Sequence, residues 1–246
     1  MTEPTPQGVK AGGRSAERIM RQWAIGLEVM ERIAHEQAIE QLPRQIYPYI
    51  AISRDMGAGA SEVARRIGAR LGWDVLDREV LNHMAEEYHL EKAMLEAVDE
   101  TTTSWQLEVF GRWISKRVVT ETKYVDRLGK VLLMAARHGS TVFVGRGAQF
   151  FLPRERGLAI QIIAPLQQRI AHVMEREHMS RDTAQAYITK RDHERREFVR
   201  VHFDQDVSDP HLCDLVINHG HVDIDWAVDL IVRSCEHKFG GEIAAH

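Results

Sequence analysis

The chain has 246 residues, 44% of them hydrophobic and 28% charged, with a formal net charge of −4 and a pI near 6.4. This length suits one large domain or a core with insertions, and the balance is that of a soluble globular protein. The acidic charge excludes a broad nucleic-acid-coating role, and two cysteines, Cys213 and Cys235, supply neither a disulfide framework nor metal-ligand spacing.

Residues 1–14 are rich in Pro, Gly and Thr, the composition of a disordered tail. They lack the apolar core of a signal peptide, and no apolar run approaches the roughly 20 residues that span a bilayer. A cytoplasmic protein without membrane contact is expected. Over residues 15–43, Ile19, Trp23, Leu27, Met30, Ile33 and Ala34 recur at helical spacing and Pro43 ends the run, which predicts an N-terminal amphipathic helix. Its apolar face has two readings: packing on its own domain, or a homo-oligomer or protein-partner contact.

The main domain is expected over residues 46–240. It opens with the buried strand "YPYIAIS", followed by a helix over 61–71 with Gly72 as its C-cap. "WDVLD" (73–77) reads as a second strand and "REVLNHMAEEYHL" as a second helix. Residues 91–138 run helical without a strand, with Trp105, Phe110, Trp113 and Tyr124 at packing-like spacing. Strands return at "TVFVG" (141–145), "LAIQIIA" (158–164) and "DLVIN" (214–218), with helices starting near Pro165, Ser180 and Asp223. Five strands alternating with helices imply a parallel sheet covered on both faces. Ligands of such sheets sit at the carboxyl ends of the strands. Three motifs fall there: Ser53–Ser61, Asp77–Arg78 and Gly145–Gly147.

The first motif, "YIAISRDMGAGASEVARRIG", resembles a phosphate-binding loop but departs from G-x-x-x-x-G-K-[ST], since the register gives Arg54, Gly59, Ala60 and Ser61. Gly57 and Gly59 permit close backbone approach, and the N–H groups of Gly57, Ala58, Gly59, Ala60 and Ser61 would form an anion nest at a helix start. Ser61 stands where a hydroxyl would touch magnesium. Glu62 opposes a polyphosphate unless it faces away. The other reading is a tight strand-to-helix turn with no ligand.

The run "ISRDMGAGASEVARRIGARLGWDVLDREVL", followed in order by "VFVGRGAQF", "YITKRDHERREFV" and "DLVIN", is similar to the cytidylate kinase-like group of nucleoside monophosphate kinase relatives. The resemblance covers roughly residues 48–235. It implies a P-loop NTPase-type α/β fold with a five-stranded parallel sheet, a helical acceptor-binding insertion at 91–138 and an arginine-rich lid at 169–205, beside the extra N-terminal helix. The group's loop, R-E-F-G-S-G-G-R-E-I, also lacks the lysine, though Ser61 replaces its arginine here. Cytidylate kinases read D-G-R-D where this chain has Val144, Gly145, Arg146 and Gly147, so both acids are absent. They carry D-S-G where Asp77 is followed by Arg78, and an arginine where this chain has His83.

Phosphoryl transfer needs positioning and charge neutralisation more than covalent chemistry. Arginines must therefore replace the lysine. Arg54 lies in the loop. Arg146 has two readings, a bidentate phosphate clamp or a salt bridge across the site. Asp77 is read either as support for magnesium or as a helix cap. Arg191 and Arg195 share a helical face, and with Asp192 they match the group's R-D-x-R-D-R lid. A solvated, ion-paired helix is the alternative there. Arg169 is expected to contact ATP, and Arg78, Arg146 and Asp192 the acceptor. The implied activity is ATP- and Mg2+-dependent phosphoryl transfer to a nucleoside monophosphate or related small phosphate acceptor. The alternative is a nucleotide-binding regulatory protein that acts through its N-terminal helix. The pairs His219/His221 and His172/His178 lack a third ligand for zinc, and no G-x-S-x-G elbow exists for a serine hydrolase.

Overall fold

The computed structural model describes residues 46–86 and 119–240. The expected tail, the N-terminal helix and residues 91–118 of the insertion, with Trp105, Phe110 and Trp113, lie outside the described residues. The chain divides into two units, one of Met1–Tyr47 and Asp77–Gly139, the other of Pro48–Leu76 and Ser140–His246.

The second unit is built on a five-stranded sheet in the order β2-β3-β1-β4-β5. Its strands are β1 (Tyr49–Arg54), β2 (Asp74–Leu76), β3 (Thr141–Val144), β4 (Gly157–Ile163) and β5 (Leu215–Asn218). Every pairing is parallel, with Tyr49 beside Thr141 on one side and Gly157 on the other. β1, β3 and β4 are nearly continuous apolar runs because both of their faces are covered. A side chain at Gly157 would collide with the Tyr49 ring, whose hydroxyl donates to the carbonyls of Leu152 and Pro153 at 3.2 Å each.

Helix α1 (Ala60–Leu71) buries Val63, Ala64, Ile67 and Gly68 on the sheet, and Gly72 ends it at φ 71°, its N–H donating to the Gly68 carbonyl. Its outer face is tied to the last helix by an Arg70–Asp229 ion pair at 3.0 Å. The expected helix starts match the structure. Pro165 precedes α5 (Leu166–Glu177). Ser180 caps α6 (Arg181–Phe203) and Asp223 caps α7 (Ile224–Phe239), each accepting a backbone N–H. A four-residue helix, α4 (Ala148–Phe151), has no counterpart in the sequence reading. α5 and α6 enclose a small core of Ile170, Val173, Ala184 and Ile188, against which Met56 packs.

In the first unit, α2 (Arg78–Glu86) packs on α3 (Val119–His138). Leu81, Leu128 and Leu132 are buried there, and the Tyr124 hydroxyl donates to Asn82 Oδ1 at 2.8 Å. Among the described residues, no helix is long and apolar enough to cross a membrane.

Gly68 is where α1 meets the chain around β2: a Cβ there would strike Val75 and lie 2.9 Å from the Trp73 carbonyl oxygen. Gly68→Ala is therefore expected to cost about 1–3 kcal/mol by overpacking, measured as a lowered urea midpoint with an unchanged slope. An unchanged midpoint would show that the helix shifts to make room.

Candidate functional site

The loop after β1 is shaped by its backbone. Asp55 N–H donates to the Ile162 carbonyl at 3.0 Å, and Ala58 N–H closes a turn onto the Asp55 carbonyl at 3.2 Å. Gly57 and Gly59 adopt φ of 85° and 82°, a region where glycine carries no steric penalty. A Cβ on Gly57 would lie 2.8 Å from the Arg169 carbonyl oxygen, and one on Gly59 would lie 3.0 Å from the His219 ring. α1 then begins at Gly59 with no side-chain cap. Its first N–H groups and the positive end of its dipole are therefore available to an anion.

Position 60, where a common phosphate loop has lysine, is packed. Ala60 is 3% exposed and belongs to the hydrophobic core. Ser61, the next residue, is exposed. Glu62 turns onto its own helix and accepts from Arg65 and Arg66. The Arg65 hydrogen bond, with that of Arg66, pulls its carboxyl down to about 2. Its charge is neutralised by α1.

The carboxylate of Asp192 on α6 holds the turn from the other side. It is 8% exposed and accepts Met56 N–H at 2.8 Å, Arg169 Nη1–H at 2.6 Å and Arg195 Nη1–H at 2.9 Å. Arg169 Nε lies 3.9 Å from Asp55 Oδ2, and His172 Nδ1 donates to the Gly57 carbonyl at 3.0 Å. Burial raises the Asp55 carboxyl above the usual carboxylate range, Arg169 opposes that shift and Asp192 adds to it. Two carboxylates and two guanidinium groups thus form one charge-balanced set beneath the loop.

At the end of β3, Gly145, Arg146 and Gly147 all have positive φ, at 82°, 57° and 67°. The Arg54 guanidinium lies against Gly145, where a Cβ would collide with it. Arg146 Cζ sits 5.2 Å from the centroid of the Phe198 ring. Gly147 admits the rings of Phe203 and Phe150, which stack at 4.7 Å.

The second unit therefore contains Arg54, Gly57, Ala58, Gly59, Ala60, Ser61, Arg146, Arg169, Asp192 and Arg195. The charged side chains read as a lid have partners within the protein. Asp192, read as an acceptor contact, is occupied by the loop and two arginines, because a buried carboxylate needs several donors. Arg169 and Arg195, read as contacts for ATP and the transferring group, are its partners. Arg191 pairs with Glu194 at 3.0 Å and lies over the Tyr187 ring. Asp77 and Arg78 belong to the other unit, where Asp77 Oδ1 caps α2 by accepting from Glu79 N–H and Val80 N–H at 2.9 and 3.0 Å. The sequence reading missed His172, His219 and Phe198 as neighbours of the loop and of Arg146. Among the described residues, no three His, Cys, Asp or Glu side chains gather to hold a metal ion.

The model of the cytidylate kinase-like family matches residues 49–221. Among solved structures, the chain is similar to an uncharacterized protein from Eubacterium ventriosum ATCC 27560, at 21% identity and a TM-score of 0.60 over 77% of this chain and 98% of that one. It is also similar to TT1252 from Thermus thermophilus, at 17% identity and a TM-score of 0.47 over 77% and 98%. Shikimate kinase from Bacteroides thetaiotaomicron follows at 14% and 0.41 over 77% and 96%. The first of these shares the fold. No curated protein matches the chain.

Asp192→Ala leaves the Met56 N–H without its acceptor and the half-buried Arg169 without its shortest ion pair, and a loss of about 3 kcal/mol is expected. Asp192→Asn keeps an acceptor and should lose less. Urea unfolding of both variants checks this ordering, and wild-type stability in Asp192→Ala would show that the network contributes nothing net.

Proposed function

Because this chain belongs to the cytidylate kinase-like family, we propose that it transfers a phosphoryl group from ATP to a nucleoside monophosphate or a related small phosphate acceptor. The observation that carries the reading is the uncapped start of α1 behind Gly57 and Gly59, with Arg54 and Arg146 at the neighbouring strand ends. Backbone N–H groups of Gly57, Gly59, Ala60 and Ser61 would hold the donor phosphates and fix their orientation, while the Ala58 N–H holds the turn.

Ser61 suits a magnesium ion that keeps most of its waters and binds mainly through phosphate oxygens, since its hydroxyl is exposed at the start of α1. When bound, magnesium would neutralise charge on the donor phosphates. Arg146 would take two oxygens of the transferring or acceptor phosphate through its guanidinium fork. Arg191 and Arg195 on α6 would reach the same group by exchanging their carboxylate partners, Glu194 and Asp192, for phosphate oxygens. The acceptor is already an anion and needs no enzyme base. The α5–α6 hairpin would exclude water from the reacting phosphate. Absence of acids at Val144 and Gly147 leaves the acceptor broader than cytidine monophosphate.

Purified protein with ATP and magnesium is expected to phosphorylate a member of a nucleoside monophosphate panel, with products read by chromatography. Arg146→Ala should lower that turnover by about 100-fold or more. Gly57→Ala should abolish ATP binding in a calorimetric titration, because a Cβ there meets the Arg169 carbonyl oxygen. Wild-type protein that binds ATP but transfers to no acceptor would overturn the kinase reading in favour of a nucleotide-binding regulator.

A further inference from the structure

Arg146 is one of three described non-glycine residues with positive φ, and it lies between two glycines that share that conformation. A left-handed arginine is strained and persists only where its surroundings dictate the geometry. The surroundings are visible. Gly145 N–H donates to the Ile52 carbonyl at 2.9 Å, and Phe150 N–H donates to the Gly147 carbonyl at 2.8 Å. The guanidinium itself lies over the face of Phe198, a half-buried ring on α6 that also packs edge-on against His202 at 4.7 Å and Phe203 at 5.9 Å.

We propose that Phe198 is a positioning residue for Arg146, and that α6 thereby sets the spacing between the donor loop and the Arg146 guanidinium. The inference rests on the reading of Arg146 as a phosphate clamp. An aromatic face attracts a guanidinium through the ring quadrupole and uses none of its in-plane N–H donors. The ring therefore sets the tilt of the guanidinium plane, on which a bidentate phosphate contact would depend.

The same helix carries Asp192, whose carboxylate holds Met56 N–H of the loop. Phe198 comes six positions after Asp192, about 9 Å further along the helix axis at the usual helical rise. A helix is stiff over that length. The two contacts thus tie the loop and the Arg146 side chain to one rigid part, and a displacement of α6 would act on both. A purely structural role for Phe198 would require only its bulk among the neighbouring rings.

The experiment separates these cases on the full chain. The Arg146 Nε–H resonance, assigned by its loss in Arg146→Lys, should be shifted upfield by the Phe198 ring current. It should return towards the random-coil position in Phe198→Leu and stay shifted in Phe198→Tyr. In turnover, Phe198→Leu should lower kcat/KM about tenfold, the scale of one desolvated cation–π contact, and Phe198→Tyr should restore it. The same Leu change in an Arg146→Ala background should cost nothing further. An unshifted resonance in the wild type, equal losses in the Leu and Tyr variants, or equal losses in both backgrounds would each overturn the inference. If the wild type transfers no phosphate, the functional reading fails separately and the resonance alone decides whether Phe198 orients Arg146.

Discussion

The hydrogen bond from Met56 N–H to the Asp192 carboxylate joins two parts of the chain 136 residues apart. A carboxylate that is 8% exposed is costly unless donors surround it. Met56, Arg169 and Arg195 supply them. Once those partners are fixed, little else about the loop remains adjustable. The turn at Asp55–Ala58 is held from α6, Gly57 is pressed on the Arg169 carbonyl, and His172 binds the Gly57 carbonyl. The loop conformation is held by the protein's own contacts, which is the condition under which backbone dipoles would stabilise the charge of a bound anion effectively.

The apolar frame explains why the charges are arranged this way. α1 must bury Ala60, Val63, Ala64 and Ile67 on the sheet, and that rotation points the side chain at position 60 into the core. An alanine suits that packed position, and the loop carries no lysine there. Under the proposed function, positive charge would come from the ends of β1 and β3, as Arg54 and Arg146. Glu62, the one acid in the first turn of α1, is removed electrostatically by its pairing with Arg65 and Arg66.

The end of β3 shows the same economy. Three successive left-handed residues would be improbable in an isolated peptide. Here Gly145 gives way to Arg54 and Gly147 to Phe203 and Phe150, while Arg146 rests on Phe198. The short helix α4 follows because the chain leaves this turn already wound, with Gly147 at φ 67° as its N-cap. Nothing in the local pattern "GRGAQFF" announces that helix.

Much of the frame was legible from the residues alone. Continuous apolar runs mark strands covered on both faces, and Gly72, Pro165, Ser180 and Asp223 mark helix ends because capping is a local matter of backbone dihedrals and adjacent N–H groups. The glycines at 57 and 59 marked the phosphate-loop candidate for the same reason. What the sequence could not decide is which partner each charged side chain takes. Asp192 sits in a run, "KRDHERREF", where a solvated helix and a ligand-facing lid look alike. Its choice of the loop over an acceptor depends on where α6 packs, as does the seating of Arg146 on Phe198 and of His219 on Gly59. Local chemistry fixed the elements and their ends. Contacts made only when helices settle on the sheet, some of them between residues more than a hundred positions apart, fixed the charges around the loop.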